Sequence, residues 1–534
     1  MIRDEIADII KKTITRLAEE KTPGFDAAAA ATDFSVEYCR DVSHGHYATN
    51  VALRLAAAGH KNPLDIASII VAKMEEAALK DYFRQIDAAG PGFINLSIAP
   101  ARLQKELGEV LKQKEKYGRF RTRRLKTQVE FISANPNGQM HVGNGRGAFF
   151  GDVLSNVLAR AGYDVEREYY VNDAKVSKQI QELGKTALGQ GQSYLTPYLK
   201  DLLTDLKPEL SKFQSETDAG YYLAGVIMKE LKKFITRDLG IRFDQWVSEE
   251  SLFRQSWIMS TYDMLKKRGK VFEKDDAYWL DMAAFNQKDE VLLRKNGQPT
   301  YFLSDIAYHR YKIERGYKKI IDVWGADHQG HVPRMKAVMA ILGYVGEFDV
   351  LISQIVNLKG GKMSKRSGTI VPLEWLIKEV GVDAARFFYL EKSLNAQMEF
   401  DVELAKEKSE KSPVFYVQYA YARIAGILRK AGARAKRSDR RTLSLLIYKS
   451  EIELIRELLR FPEIVCDTAR DFQVQRLFAY AQEVAATFHK FYGECRVISN
   501  DQKLTSARLQ LVLATRIVLK NTFDLMGVSA PEKM

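Results

Sequence analysis

Apolar residues recur along the chain at two spacings, one typical of strands and one typical of helices. Residues 129–132 (VEFI) are β-branched, aromatic and mostly apolar, which predicts a buried strand, and residues 165–171 predict a second one. Between them, apolar positions follow a helical period: Val153, Leu154, Val157, Leu158 and Ala161. Gly162 then supplies a helix stop. The stretch therefore predicts a βαβ unit.

The spacing of apolar residues also divides the rest of the chain into helical and α/β segments. Helical patterns occupy residues 6–17 and 66–79, and a turn at Gly90 leads into an alternating strand that ends at Ile98. The α/β pattern lapses from about 185 to 255, where we expect a helical insertion, and it returns over residues 319–358. Beyond Gly381 nearly everything is helical. The simplest architecture is a split α/β core followed by an all-helical domain.

Composition and charge narrow the class of protein. The chain has 534 residues, 46% hydrophobic and 28% charged, which fits a globular protein of roughly three or four domains. Its 81 Lys and Arg against 68 acidic residues give a net charge of +13, which favours a polyanionic partner such as nucleic acid.

The cysteines and the N-terminal sequence indicate in which cellular compartment the protein works. Cys39, Cys466 and Cys495 are far apart and form no CxxC pair, so we expect neither a disulfide framework nor a thiolate metal site. The first twenty residues are amphipathic and carry acidic residues where a signal peptide would be basic. No run of about eighteen apolar residues is present. We expect a cytoplasmic protein that binds no membrane.

A glycine-rich loop, SANPNGQMHVGNGRG (residues 133–147), joins the first strand of the βαβ unit to its helix. Backbone N–H groups and a helix N-terminus at such a turn can hold a phosphate. The dinucleotide pattern GxGxxG fails because Ala148 stands where its last Gly is required, and the P-loop pattern fails because Gln179 stands where its first Gly is required. An ordinary glycine-rich turn is the alternative.

A second loop, KGGKMSKRSG (residues 359–368), follows a predicted strand and carries three cations, Lys362, Lys365 and Arg366. Alone it could be a solvated surface loop. Taken with the first loop, HVGN (141–144) and KMSKR resemble the HIGH and KMSKS pair of class I aminoacyl-tRNA synthetases. One departure is Asn144, which stands where the motif has His; an amide donates to phosphate but cannot carry charge.

Longer stretches resemble one family within that class, the arginyl-tRNA synthetases. They are residues 129–173, YFLSDIAYH (301–309), GADHQGH (325–331), VGVDAARFFYL (380–390), YVQYAYARI (416–424) and APEKM (530–534). The resemblance covers the whole chain. It implies a Rossmann-like α/β catalytic core with an inserted helical segment, an α+β N-terminal domain that reads the tRNA D-loop, and an all-α anticodon-binding domain. We place the N-terminal domain at 1–115, the catalytic core at 116–385 with its insertion at about 185–255, and the anticodon-binding domain at 386–534.

The resemblance also implies ligands and roles. We expect a monomer that binds ATP with Mg²⁺, L-arginine and tRNA(Arg), with no dedicated protein metal site and with adenylate formation that waits for tRNA. The expected catalytic residues are His141, Asn144 and Lys365. Those expected at ATP are Gly143, Gly325, Asp327, His328, Lys362 and Ser364. Those expected at arginine are Glu130, Ser133, Asn135, Tyr301, Asp305 and Gln329. Those expected at tRNA are Phe93, Asn95, Tyr416, Tyr419 and Arg423.

The chemistry agrees with these roles. Adenylate formation needs positioning and charge neutralisation rather than a protein nucleophile. A guanidinium needs a planar carboxylate partner, and Asp305 stands one helical turn from Tyr301. Two other functions stay open: a small HIGH-type nucleotidyltransferase, and a basic RNA-binding protein with an inactive synthetase core. The basic segment 112–126 is either a solvated linker or a strip that tracks phosphates.

Overall fold

The computed structural model describes residues 1–26, 29, 31–39, 41–59, 62–77, 79–359, 371–436 and 438–534. Its strands are β1 Val36–Tyr38, β2 Tyr47–Thr49, β3 Phe83–Ala89, β4 Phe93–Ile98, β5 Lys126–Glu130, β6 Asp164–Val171, β7 Gln245–Ser248, β8 Val271–Lys274, β9 Ala277–Leu280, β10 Glu290–Leu293, β11 Lys319–Gly325, β12 Glu347–Ser353, β13 Val356–Leu358 and β14 Met398–Phe400.

Helices make up most of the remaining structure. As far as Leu342 they are α1 Ile2–Glu19, α2 Val51–Gly59, α3 Pro63–Glu76, α4 Pro100–Gln113, α5 Val142–Arg160, α6 Lys178–Ala187, α7 Pro197–Asp205, α8 Lys207–Leu210, α9 Glu216–Lys233, α10 Glu249–Arg254, α11 Trp257–Lys267, α12 Tyr301–Glu314 and α13 Val332–Leu342. Beyond it they are α14 Leu373–Val380, α15 Val382–Leu390, α16 Val402–Lys406, α17 Pro413–Ala431, α18 Ala433–Lys436, α19 Lys449–Leu459, α20 Phe461–Asp471, α21 Gln475–Glu494 and α22 Gln502–Met526.

The N-terminal region is an antiparallel sheet of order β1-β2-β4-β3 packed with helices α1 to α3. Helix α1 buries one apolar stripe at helical spacing: Ile2, Ile6, Ile10, Ile14 and Leu17. Asn62 caps α3 by accepting a hydrogen bond from the Leu64 N–H. The α+β prediction for this region is confirmed.

The α/β core is a parallel sheet of order β12-β11-β5-β6-β7. Strand β5 comes first in the chain; β6 and β7 follow on one side of it, and β11 and β12 lie on the other. The direction of winding therefore changes between β5 and β11. In open α/β sheets, ligands bind at this switch point, outside the carboxyl ends of the strands.

Two short features of the core differ from the expectation. Strand β7 lies inside the segment expected to be helical and pairs in parallel with β6; four residues are too few to show alternation. The first predicted strand ends at Glu130 and not at residue 132, because Ile132 and Ser133 adopt positive φ angles of 68° and 39°. A separate antiparallel sheet of order β10-β9-β8 follows the insertion.

The C-terminal region is helical, as expected, apart from β14, which pairs with β13 next to the core. Its long helices α17, α21 and α22 pack through apolar faces that include Val417, Phe488 and Leu519. In the part of the chain described above, no helix has both the length and the apolar character of a membrane span.

Candidate active site

The candidate site lies at the carboxyl ends of the core strands. The glycine-rich loop follows β5, the turn Ala326–His331 follows β11, Asp173 follows β6, and Glu249 follows β7. The first two loops flank the switch point between β5 and β11. Residues that are nearly 200 positions apart in the sequence therefore meet at one edge of the sheet.

His141 and Asn144 form the N-terminal cap of α5. The Gly143 N–H donates to His141 Nδ1 at 3.1 Å, and the His141 N–H donates to Asn144 Oδ1 at 2.9 Å. In a neutral imidazole an accepting Nδ1 leaves the proton on Nε2. Partial burial lowers the pKa of His141, which Asp327 opposes electrostatically. His141 can thus donate to an anion through Nε2, while Asn144 has its oxygen engaged in the cap.

Two glycines in α5 serve packing. A Cβ on Gly145 would lie 2.8 Å from the Tyr389 ring, and a Cβ on Gly151 would lie 2.2 Å from Phe131. The Tyr389 hydroxyl donates to the Val142 carbonyl at 2.6 Å. The first turn of α5 is therefore held against helix α15.

The described residues on either side of the second loop are hydrogen-bonded to neighbouring elements, and those after it lie beside the first loop. The Val142 N–H donates to the Val371 carbonyl at 3.0 Å, and the Leu373 N–H donates to the Met140 carbonyl at 2.8 Å. On the other side, the Lys359 N–H donates to the Phe400 carbonyl at 3.0 Å. The three residues expected to act from this loop fall outside the described residues: Lys362, Ser364 and Lys365.

The turn after β11 presents the residues expected at ATP ribose and the substrate amino group. Asp327, His328 and Gln329 are exposed, and His328 Nε2 lies 3.4 Å from Asp327 Oδ2. A Cβ on Gly325 would lie 2.5 Å from Asp327 Oδ1. A side chain at 325 would displace the Asp327 carboxylate from this position.

Glu130 has partners that the sequence did not reveal. Ser133 Oγ donates to Glu130 Oε1 at 2.9 Å and accepts from the Tyr170 N–H at 3.0 Å. The fully buried Lys312 Nζ lies 2.6 Å from Glu130 Oε2 and 2.7 Å from Asp322 Oδ1. Lys312 therefore compensates the charge of Glu130 and fixes its orientation. The available signal in the sequence was the position of Lys312, two helical turns beyond Asp305 and so on the same helix face.

Asp305 and Glu249 interact electrostatically, and we call this pair of carboxyl groups the acidic pocket. The Asp305 carboxylate makes no hydrogen bond or ion pair with any residue that the structure describes, and burial raises its pKa to about 6. Burial, Asp305 and Asp173 together raise the pKa of Glu249 to about 8, although the Ser304 hydroxyl hydrogen-bonds to it. The nearby Tyr170 hydroxyl is buried without a hydrogen-bond partner. The pocket has the charge and the open acceptors that a guanidinium requires.

Two other residues expected at arginine are exposed at the surface. Tyr301 is 53% exposed, and its hydroxyl accepts from the Lys178 N–H at 3.0 Å. Asn135 is exposed, and its carbonyl accepts from the Asn137 N–H at 2.9 Å. Sequence reasoning missed Glu249, which directly follows a four-residue strand within the supposed insertion.

The expected tRNA residues lie on two separate surfaces. Phe93 is 38% exposed, and it shares one face of β4 with Asn95. On α17, Arg423 stacks 4.6 Å from the Tyr419 ring centre, donates to its hydroxyl at 2.8 Å and lies 3.1 Å from His489 Nδ1.

The aromatic cluster on α17 extends beyond the residues expected from the sequence. The Tyr416 ring lies 5.2 Å from that of His489, and the exposed Tyr492 ring lies 5.4 Å from the Arg423 guanidinium. His489 and Tyr492 come from α21, so their proximity could not be read from the sequence. These side chains offer stacking and charge together, as RNA bases require.

A capped helix N-terminus at the switch point of a parallel sheet is consistent with the class I aminoacyl-tRNA synthetase fold. Family models match the chain in order: the arginyl tRNA synthetase N terminal domain over residues 2–98, the catalytic domain of class I (R) tRNA synthetases over 106–184, and the DALR anticodon binding domain over 417–534.

Similar proteins agree with these matches. The chain is 40% identical to the arginine–tRNA ligase of Moorella thermoacetica, covering 99% of this chain and 100% of the relative. A putative arginyl-tRNA synthetase structure from Campylobacter jejuni has a TM-score of 0.74 and 30% identity, over 82% of this chain and all of that one. The Thermus thermophilus arginyl-tRNA synthetase structure has a TM-score of 0.79 at 22% identity, over all of both chains.

The chain belongs to the arginine–tRNA ligase family. It activates L-arginine with ATP to arginyl-adenylate and pyrophosphate, and it transfers arginine to the 3′-terminal ribose of tRNA(Arg).

Proposed function

We propose that ATP and arginine meet in the crevice between the loops that follow β5 and β11. The observation that carries this proposal is the position of the capped N-terminus of α5 at the switch point, facing the turn after β11. The helix terminus supplies partial positive charge for phosphate oxygens. The uncompensated pocket of Asp305 and Glu249 supplies negative charge for the guanidinium.

The ATP end of the crevice is formed by both signature loops. His141 donates from Nε2, Asn144 keeps the cap in place, and Gly143 leaves its backbone accessible. The turn after β11 adds Gly325, Asp327 and His328 near the ribose. Lys362, Ser364 and Lys365 act from the second loop, whose flanking residue Val371 is bonded to Val142. A carboxylate oxygen of arginine attacks the α-phosphorus, pyrophosphate leaves, and these groups offset the charge that develops.

The arginine end is formed by α12 and its neighbours. Asp305 and Glu249 bind the guanidinium, and Tyr301 closes the mouth of the pocket. Glu130 contributes a carboxylate whose orientation Ser133 and Lys312 fix. Ser133, Asn135 and Gln329 hold the amino-acid end of the substrate. Two carboxylates against one cation match a fork-shaped guanidinium better than a point-charge ammonium.

Two surfaces outside the crevice bind tRNA. Phe93 stacks on a D-loop base and Asn95 hydrogen-bonds to it, since both lie on one face of β4. Tyr416, Tyr419 and Arg423 contact the anticodon, with His489 and Tyr492 extending the same cluster. Their partial exposure and cation–π stacking support this role.

Further features follow from the activity. Mg²⁺ enters with ATP. We place the enzyme in the cytoplasm, where charged tRNA is used, and propose that it is a monomer, which light scattering would test.

We keep the domain boundaries 1–115, 116–385 and 386–534, which limited proteolysis would test.

His141→Ala tests the ATP end of the crevice. We expect it to lower the rate of adenylate formation in single turnovers by about 10²–10³-fold, because one preorganised donor is lost. His44→Ala, in the N-terminal region, is the matched control and should leave that rate unchanged. An adenylate rate of His141→Ala within threefold of wild type would remove His141 from the reaction.

A further inference from the structure

Helix α15 (Val382–Leu390) crosses the proposed domain boundary at residue 385, and later parts of the C-terminal region contact its first turn. The Ser529 N–H donates to Asp383 Oδ1 at 3.1 Å, and the Gln418 amide donates to Asp383 Oδ2 at 2.9 Å. Ser529 follows the last helix, and Gln418 lies on α17, so both belong to the helical C-terminal region. The start of α15 is thus bound to two parts of that region.

One turn further on, Arg386 joins three more elements. Its guanidinium is 2% exposed and pairs with Asp152 of α5 at 2.7 Å. It also donates to the Leu239 carbonyl at 2.8 Å, within the insertion, and to the Met526 carbonyl at 3.4 Å, at the end of α22. One buried side chain therefore connects the catalytic helix, the insertion and the C-terminal region.

Gly527 makes room for this guanidinium. It ends α22 with φ +67°, and a Cβ there would lie 2.4 Å from Arg386 Nη1 and 2.8 Å from Cζ. The junction borders a cavity of about 480 Å³ lined by charged residues such as Arg167, Arg237 and Asp524. The two regions therefore meet here through specific polar contacts, beside apolar packing such as that of Phe387 against Phe478.

The far end of α15 reaches the catalytic loop. The Tyr389 hydroxyl donates to the Val142 carbonyl at 2.6 Å, and its ring fills the space above Gly145. Asp383, Arg386 and Tyr389 are spaced by three residues, so their attachments lie within ~9 Å along one rigid helix at ~1.5 Å per residue. A displacement of the C-terminal region is thereby transmitted to the turn that holds His141.

We propose that Arg386 is a positioning residue that couples the seating of the C-terminal region on tRNA to the placement of His141 and Asn144. The inference rests on the proposed tRNA contacts of α17. Coupling between two sites is reciprocal. Arginine and ATP must therefore raise tRNA affinity by the same factor by which tRNA raises the affinity for arginine and ATP.

Gly527→Ala tests the proposal because it pushes on Arg386 without touching a substrate. Gly343→Ala is the matched control: Gly343 ends α13 with φ +79°, and a Cβ there meets nothing within 4 Å. Both variants carry the same backbone strain, but only one displaces the guanidinium. The measurement is the tRNA(Arg) dissociation constant with and without arginine plus a non-hydrolysable ATP analogue.

We expect the ligands to tighten tRNA binding by at least about fivefold in wild type and in Gly343→Ala. In Gly527→Ala the ratio of the tRNA dissociation constants without and with these ligands should fall close to one. The kcat of aminoacylation should be reduced, and the KM for tRNA should be nearly unchanged. A wild-type ratio of one, or an unchanged ratio in Gly527→Ala, would overturn the proposal. The wild-type tRNA affinity in the same titration reports on tRNA binding separately.

Substitutions of Arg386 itself provide a second measurement. Arg386→Lys keeps a charge for Asp152 but cannot reach both carbonyls, so we expect a ratio between those of wild type and Arg386→Gln. A purely structural role would lower thermal stability and all rates together while leaving the ratio intact. If Arg386→Gln fails to fold, the Gly527→Ala ratio alone decides the outcome.

Discussion

Arginine binding should release a proton, because the vacant pocket holds one. Glu249 has a pKa of about 8, so at pH 7 it is mostly protonated, and Asp305 has a pKa of about 6. Burial and the carboxylates of Asp305 and Asp173 raise the pKa of Glu249, while hydrogen bonds from the Ser304 hydroxyl and the Ala174 N–H partly offset them. A bound guanidinium would stabilise the carboxylate form.

The size of the effect follows from linkage. An opposite charge at close range lowers a carboxyl pKa by about two units, so the bound pKa of Glu249 becomes about 6. Because the pKa of Glu249 is higher without arginine than with it, arginine affinity falls as the pH falls from about 8 to about 6. It should be about 20-fold weaker at pH 6.5 than at pH 8.5, and binding at pH 7 should release about 0.8 proton.

Isothermal titration calorimetry in phosphate and in Tris counts the released protons, because the two buffers differ in ionisation enthalpy. Glu249→Gln should bind arginine more weakly and lose most of the pH dependence above pH 7, leaving only the contribution of Asp305 below it. A binding heat that does not depend on the buffer would refute this reasoning. So would a Glu249→Gln variant with the full wild-type pH profile.

Three other substitutions probe separate parts of the account. Asp305→Asn should lower kcat/KM for arginine by about 30- to several-thousand-fold, because the guanidinium loses a buried charged partner. It should create no lysine activity and leave tRNA affinity the same. Aminoacylation assays with both amino acids check this. Lys365→Ala should slow adenylate formation by about 10²–10³-fold in rapid-quench single turnovers with little change in arginine affinity. Arg423→Ala should raise the KM for tRNA by about 5- to 150-fold through lost stacking, whereas Lys430→Ala, exposed on the same helix, should not.

Long periodic segments made much of the fold predictable. Strand β6 and helices α1 and α5 each span several turns or pleats, so their apolar periods are clear in the sequence. Strand β7 has four residues, and β8 to β10 are equally short, so no period could develop. The end of β5 was misplaced because two non-glycine residues adopt positive φ, which no hydrophobic pattern encodes.

The candidate site was predictable only where its residues belong to contiguous motifs. His141 and Asn144 cap one helix, and Tyr301 and Asp305 share another. Lys312 and Glu130 are 182 positions apart, so only the folded chain shows that their charges compensate each other. Glu249 was missed for the same reason, since its neighbour Asp305 comes from another helix.

ATP–pyrophosphate exchange, measured with each amino acid in the presence and absence of tRNA(Arg), tests the central claim most directly. The account predicts exchange with arginine alone among the amino acids, and only when tRNA is present. Exchange with arginine and ATP without tRNA would contradict the expected tRNA dependence. The absence of exchange with every amino acid, or exchange with a different one, would contradict the assignment of the pocket to arginine.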